Sequence, residues 1–134
     1  MQCSLKMKWK MKWKVVIKIR MWMLDPALLC RKHLLGEHGE IHKHIPSFRK
    51  GYNVDGRFKP VAQIQLNAIE SRHDDLAAEI QKRGYNHNSP LLNIPNLSLT
   101  YPQYYDKVVD IEISKKDLIE RCLECRNNLE KGNE

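Results

Sequence analysis

The sequence predicts an all-α fold, and three observations carry that prediction. Apolar residues recur at helical spacing: Leu66, Ile69, Leu76 and Ile80 form one stripe, with Ala62 and His73 on it. Helix punctuation recurs too. Asp25 before Pro26 suits an N-terminus, because Asp accepts from an orphan backbone N–H and Pro has none to satisfy. Gly84 suits a C-terminus, and Ser114 with Asp117 resembles a capping box with Asp in place of Glu. Finally, little of the chain alternates as a strand does. A compact domain of about three helices with long loops follows.

The 134 residues divide into a basic extension, 1–18, and a helical domain, 19–134, large enough to bury a core without disulfides or metals. The net charge of +7 lies in residues 1–20, which hold seven Lys/Arg and no acid; removing those seven from the 23 leaves 16 basic against 16 acidic residues over 21–134. The repeat "MKWKMKWK" alternates lysine with apolar residues. It reads as a strand with one basic face, as an anion-binding surface, or as purine-rich DNA ahead of a true start near Met21. Val15-Val16-Ile17 is too short for a signal-peptide core, and no stretch approaches a membrane span. A cytoplasmic setting with reduced, half-buried Cys30, Cys122 and Cys125 is expected.

The first helix is expected from Pro26 to about Ile45, stopped by Pro46. Gly36 and Gly39 weaken it and suggest close approach of another backbone or a ligand. Residues 46–59 read as a loop. The second helix is expected from about Pro60 to Arg83, ended by Gly84. "YNHNSPLLNIPNLSLTYPQYY" reads as a long connection anchored by Leu and Tyr, and "VVDIEI" as a short extended piece. The third helix is expected from Ser114 to about Leu129.

On the first helix, His33, Glu37, Glu40 and His44 fall on one stripe, and Leu34, His38, Ile41 and Ile45 on its neighbour. Three readings compete. The first is a solvated face with Glu–His pairs. The second is a metal site using His38 and His42, or His33 with Glu37, helped by Cys122 and Cys125; zinc prefers three or four such ligands. The third is acid/base chemistry by a carboxylate on a partly buried edge. Elsewhere, His73 reads as a packing histidine and Arg72 as a partner of Asp75 or Glu79. Tyr85, Asn86 and His87 suit either a helix-ending turn or a DNA contact.

"HLLGEHGEI" (33–41) resembles the His-Leu-x-x-Glu-x-x-Glu-Leu helix of the pyrimidine-dimer DNA glycosylases of the phage endonuclease V type. "RGYN" (83–86) resembles their Arg-Gly-aromatic-Asn. "LCRKHLLGEH", "SRHDDL" and "RGYNHNSPL" are similar to small bacterial and phage members. The resemblance covers about residues 19–92 well and 110–124 weakly.

It implies a compact all-α enzyme, a glycosylase and AP lyase on ultraviolet photoproducts in duplex DNA. The N-terminal α-amine forms a Schiff base with C1′ and β-elimination nicks the strand, with no cofactor or metal needed. By position Glu40 is the catalytic carboxylate, with His33 and Glu37 in support, and Met21 or Ile19 supplies the amine. Lys43, Arg20 and Arg121 match basic family positions. Arg31 and Lys32, with Arg49, Lys50, Arg57 and Lys59, are expected on phosphate. The partner is damaged double-stranded DNA, with no membrane, and the chain is expected to act as a monomer. Gly39 and Asp117 stand where the best-known member has basic residues. The other readings are a DNA-binding module without catalysis and a His/Cys metal-binding protein.

Overall fold

Among the residues described by the computed structural model (21–59, 61–86, 90–91 and 93–132) there are five α-helices and no strand. The all-α expectation holds. The extension 1–18, Arg20, Pro60 and His87 lie outside the described residues.

Asp25 is a cap, as expected: its side chain accepts from the Ala27 N–H at 3.0 Å. It opens only one 3₁₀ turn, Pro26–Leu28. Leu29 is fully buried, Cys30 is extended (φ −70°, ψ 166°), and α1 (Arg31–Arg49) begins one residue later. The expected start at Pro26 is therefore corrected: burying Leu29 and Cys30 needs extended backbone. Arg83 holds that backbone, donating to the carbonyls of Pro26 at 3.0 Å and Leu29 at 2.7 Å.

Pro46 does not stop α1; it lies inside it. A mid-helix proline costs about 3 kcal/mol. Here the extra turn seats Phe48, 1% exposed, and burying a phenylalanine contributes a comparable about 2–3 kcal/mol. The helix ends at Gly51 (φ 69°), where Tyr52 N–H reaches Ser47 O and Gly51 N–H reaches Phe48 O, both at 3.1 Å. This is the paired-bond glycine stop.

The close approach expected at Gly36 and Gly39 is absent among the described residues, since a Cβ on either meets nothing within 4 Å. Gly36→Ala should therefore raise stability by about 0.5–1 kcal/mol in urea unfolding, through helix propensity alone. A loss of stability would show that something covers this face.

Helix α2 (Ile69–Lys82) follows a 3₁₀ turn, Leu66–Ala68, and not Pro60. The preceding stretch stays extended because it docks the N-terminal segment. Gln63 is fully buried, and its carbonyl accepts the Met21 N–H at 2.8 Å. Its own N–H reaches Arg57 O at 2.7 Å. Gln65 N–H meets Met21 Sδ at 3.3 Å, and Gln65 Oε1 accepts from Val109 N–H at 3.1 Å. The expected end holds: Gly84 has φ 86°, Tyr85 N–H reaches Ile80 O at 3.1 Å, and Gly84 N–H reaches Gln81 O at 2.9 Å.

The long connection is anchored by tyrosines, as expected. Tyr101 Oη donates to Tyr52 O at 2.6 Å, and Tyr104 bonds Asp55 and stacks on Phe58 at 4.3 Å. It carries one helical turn, α3 (Leu97–Thr100).

"VVDIEI" is not extended throughout. Asp110 caps α4 (Ile111–Arg121), accepting from Glu112 N–H at 2.9 Å. Ser114 is no cap: it is fully buried and donates to Trp22 O at 2.7 Å. The single third helix expected to Leu129 is two, because the backbone breaks at Cys122 (φ −141°, ψ 111°) before α5 (Leu123–Gly132). Helix α1 packs on α2 and α4 on α5, and the 3₁₀ turn at Pro26–Leu28 touches both α2 and α5. Leu34, Ile41, Leu76 and Leu118, none exposed, lie in the core.

Candidate active site

The buried stripe of α1 is Leu34, Glu37, Ile41, His44, Ile45 and Phe48. The expected polar edge is therefore split: Glu37 and His44 turn inward, while His33 and Glu40 stay half-buried. Arg72 explains Glu37. Its Nε and Nη2 donate to the two Glu37 oxygens at 2.6 and 2.9 Å, and its Nη1 donates to Leu24 O at 2.7 Å. The expected pairing of Arg72 with Asp75 or Glu79 is corrected, since Glu79 accepts from Arg83 at 2.7 Å.

His44 stacks on Phe48 with ring centroids 5.4 Å apart. Burial, then repulsion from Arg57, lowers it from 6.5 to about 4. The unfolded chain thus binds this proton more readily. Stability is complete above about 6.5 and falls as pH drops toward about 4, by about 3 kcal/mol at most. His44→Phe should flatten that limb in urea midpoints measured against pH. A limb as steep as wild type would assign it to other groups.

Glu40 is the carboxylate left available. Its side chain is 29% exposed and Oε1 lies 3.7 Å from Lys43 Nζ. Oε2 is buried and has no hydrogen-bond partner among the described residues. Lys32, Gly36, Lys43, Pro46 and Lys50 make the exposed stripe beside it, with half-buried Gly39 between. Arg31 is exposed and lies over the Tyr85 ring at 5.2 Å. Arg121 is more occupied than expected: it pairs with both Asp117 oxygens at 3.0 and 3.1 Å and covers the Trp22 ring at 5.4 Å. Met21 is 2% exposed. Met23, at φ 58°, turns the chain between Trp22 and Leu24, an uncommon conformation for a side-chain-bearing residue.

The histidines and cysteines do not meet as the metal reading expected. His38 and His42 join His73, with His42 and His73 Nε2 atoms 3.1 Å apart. His73 packs α2 on α1, as expected. Cys122 and Cys125 instead join Cys30 and His33. Among the described residues the three cysteines are free thiols, with Cys30 and Cys125 buried and Cys122 half-buried. The signal was in the sequence: Cys30-x-x-His33 has the spacing of Cys122-x-x-Cys125. His33 Nδ1 lies against the Cys30 and Cys125 sulfurs, and its ring meets Trp22 edge-on. Burial, then Lys32 and Arg121, lowers its affinity for a proton.

Glu40, with one unclaimed oxygen, thus borders an outer helix stripe that carries Lys32, Lys43 and Lys50 and is locally bare of side chains at Gly36. The sequence model of the pyrimidine dimer DNA glycosylase family matches residues 19–93, more than half of the chain, and the chain belongs to that family. No curated protein and no solved structure matches it. The expected family thus holds, and with it a place in DNA repair with pyrimidine-dimer DNA as partner. Among the described residues, no helix is long and apolar enough to cross a membrane.

Proposed function

We propose that this chain is a glycosylase with AP-lyase activity on pyrimidine dimers in duplex DNA, acting as a monomer. An α-amine at Ile19 or Met21 attacks C1′ of the damaged nucleotide. The glycosidic bond breaks, a Schiff base forms, and loss of a C2′ proton expels the 3′ phosphate by β-elimination. A terminal amine suits this step because its pKa near 8 leaves a usable free fraction at neutral pH. Glu40 stabilises the developing positive sugar and carries protons. The nucleotide is expected to leave the stack so that C1′ becomes accessible.

The observation that carries this reading is Glu40 Oε2, buried without a partner beside a cationic stripe. Glu37 is then a positioning residue. Through Arg72 it ties the helix bearing Glu40 to the Leu24 carbonyl, three residues from Met21. His33 holds the start of the same helix against Trp22 and the thiols. Lys32 and Lys43 are eleven residues apart, about 16 Å along the axis, with the bare glycines between. That gap lets a phosphodiester backbone approach closely. Arg31, Lys43 and Lys50 would add phosphate contacts, with Arg20 outside the described residues and Arg121 at the Trp22 side.

The test is borohydride trapping on abasic-site duplex, with the chain begun at Ile19 or at Met21 and the full chain in parallel. A covalent protein–DNA adduct from at least one shortened form is expected. Salt-dependent binding without an adduct from either would return the protein to a DNA-binding module.

A further inference from the structure

Cys30 is the N-cap of α1, and His33 follows one turn on. Ninety-two residues after Cys30 the chain leaves helical geometry at Cys122, although neither Gly nor Pro stands there, and resumes it so that Cys125 points back. The four ligand atoms lie within 4.8 Å of one another. The Cys30 and Cys122 sulfurs are 3.8 Å apart, and Cys125 Sγ is 3.6 Å from His33 Nδ1. A tetrahedral zinc ion with bonds of about 2.3 Å to sulfur and about 2.0–2.1 Å to nitrogen places sulfurs about 3.8 Å apart and sulfur–nitrogen pairs about 3.6 Å apart. The Cys30 to His33 separation of 3.1 Å needs only a small opening.

Backbone amides point at two of the sulfurs, although burial pushes the metal-free Cys125 thiol up to about 12. Cys30 N–H donates to Cys125 Sγ at 3.2 Å and Cys125 N–H to Cys122 Sγ at 3.5 Å, as amides do around metal-bound sulfur. Cys30 also sits at the positive end of a nineteen-residue helix. A dication held by three thiolates and a neutral imidazole leaves a single negative charge; Lys32 and Arg121 lie close enough to act on His33, with Asp117 and Glu124 acting in the opposite sense.

We propose that Cys30, His33, Cys122 and Cys125 form a structural zinc site that fastens the α4–α5 break to the start of α1. Binding replaces three S–H protons with three Zn–S bonds and releases those protons to solvent. All four positions are filled by protein, so the ion has no open position for substrate and takes no part in strand cleavage. This inference does not rest on the lyase reading.

The full chain, purified without chelator or histidine tag, should carry about one zinc ion per molecule by elemental analysis. Cobalt exchanged into it should give the intense visible bands of a tetrahedral thiolate site. Cys122→Ser with Cys125→Ser should lower zinc content at least about tenfold, while His38→Ala with His42→Ala keeps it. If the double cysteine variant does not fold, zinc-edge absorption on the unmodified protein decides the matter by its shell of three sulfurs and one nitrogen. All four thiols of the chain, Cys3 included, titrating freely with no bound zinc after zinc is supplied, a Cys30–Cys122 disulfide, or zinc lost only with His38 and His42 would each overturn the proposal.

Discussion

Glu40→Gln is expected to lower strand cleavage at abasic sites by about 10²–10⁴-fold, the range for removing a positioned acid/base group. The substitution keeps shape and removes charge. It should leave the fold intact, because Oε2 has no hydrogen bond to lose among the described residues and the Lys43 contact at 3.7 Å is solvated on the lysine side. Duplex binding should also survive, since in the proposed reading the exposed cations supply it. The measurement is single-turnover cleavage beside a binding titration at one salt concentration. Cleavage near the unmodified rate would remove Glu40 from the chemistry.

The second large effect is on stability. Arg72→Met should cost about 3–5 kcal/mol, because it leaves the Glu37 carboxylate charged and unpaired where its side chain has no exposure. That is a large share of the about 5–15 kcal/mol that holds an ordinary domain together. Replacing both partners, Glu37→Leu with Arg72→Met, should recover much of the loss, since the cost of an isolated charge disappears. Recovery should be incomplete, because the Leu24 carbonyl also loses its donor at 2.7 Å. Urea unfolding of the three variants tests this. A single-variant loss below about 1 kcal/mol would mean that the pair is wetter than its burial indicates.

Local chemistry made much of this fold legible. The stop at Gly84 follows from a glycine after a basic last turn, and Ile69, His73, Leu76 and Ile80 of the α2 core face follow from spacing, whereas Ala62 and Leu66 lie before the helix and Arg72 and Ala77 join the buried face. The misplaced boundaries lie where tertiary contacts outweighed local preference. Asp25-Pro26 does cap, but burying Leu29 ends that turn at once. Pro46 is a strong local stop signal, yet Phe48 had a pocket to fill. The break at Cys122 has no local cause and becomes intelligible only beside Cys30 and His33. The site was legible in the same uneven way. Glu40 as a candidate came from the family pattern, and its half-buried carboxylate with one unclaimed oxygen supports the role proposed for it. The inward turn of Glu37 was hidden because a helical stripe does not reveal that an arginine thirty-five residues on will meet it. The histidines and cysteines were identified but sorted into the wrong partnerships, since spacing names candidate ligands and not their neighbours.

The Cys30 N–H meets the Cys125 sulfur across 95 residues of chain. At roughly 5–20 residues per second, about 5–20 s of synthesis separate those two atoms. A ribosome therefore releases the helix bearing Glu40 well before the segment that seats Trp22 and closes over Cys30. Translation products that end early lack Ser114, Cys122 and Cys125 together, and so lack both the clasp on Trp22 and the bridge to α1.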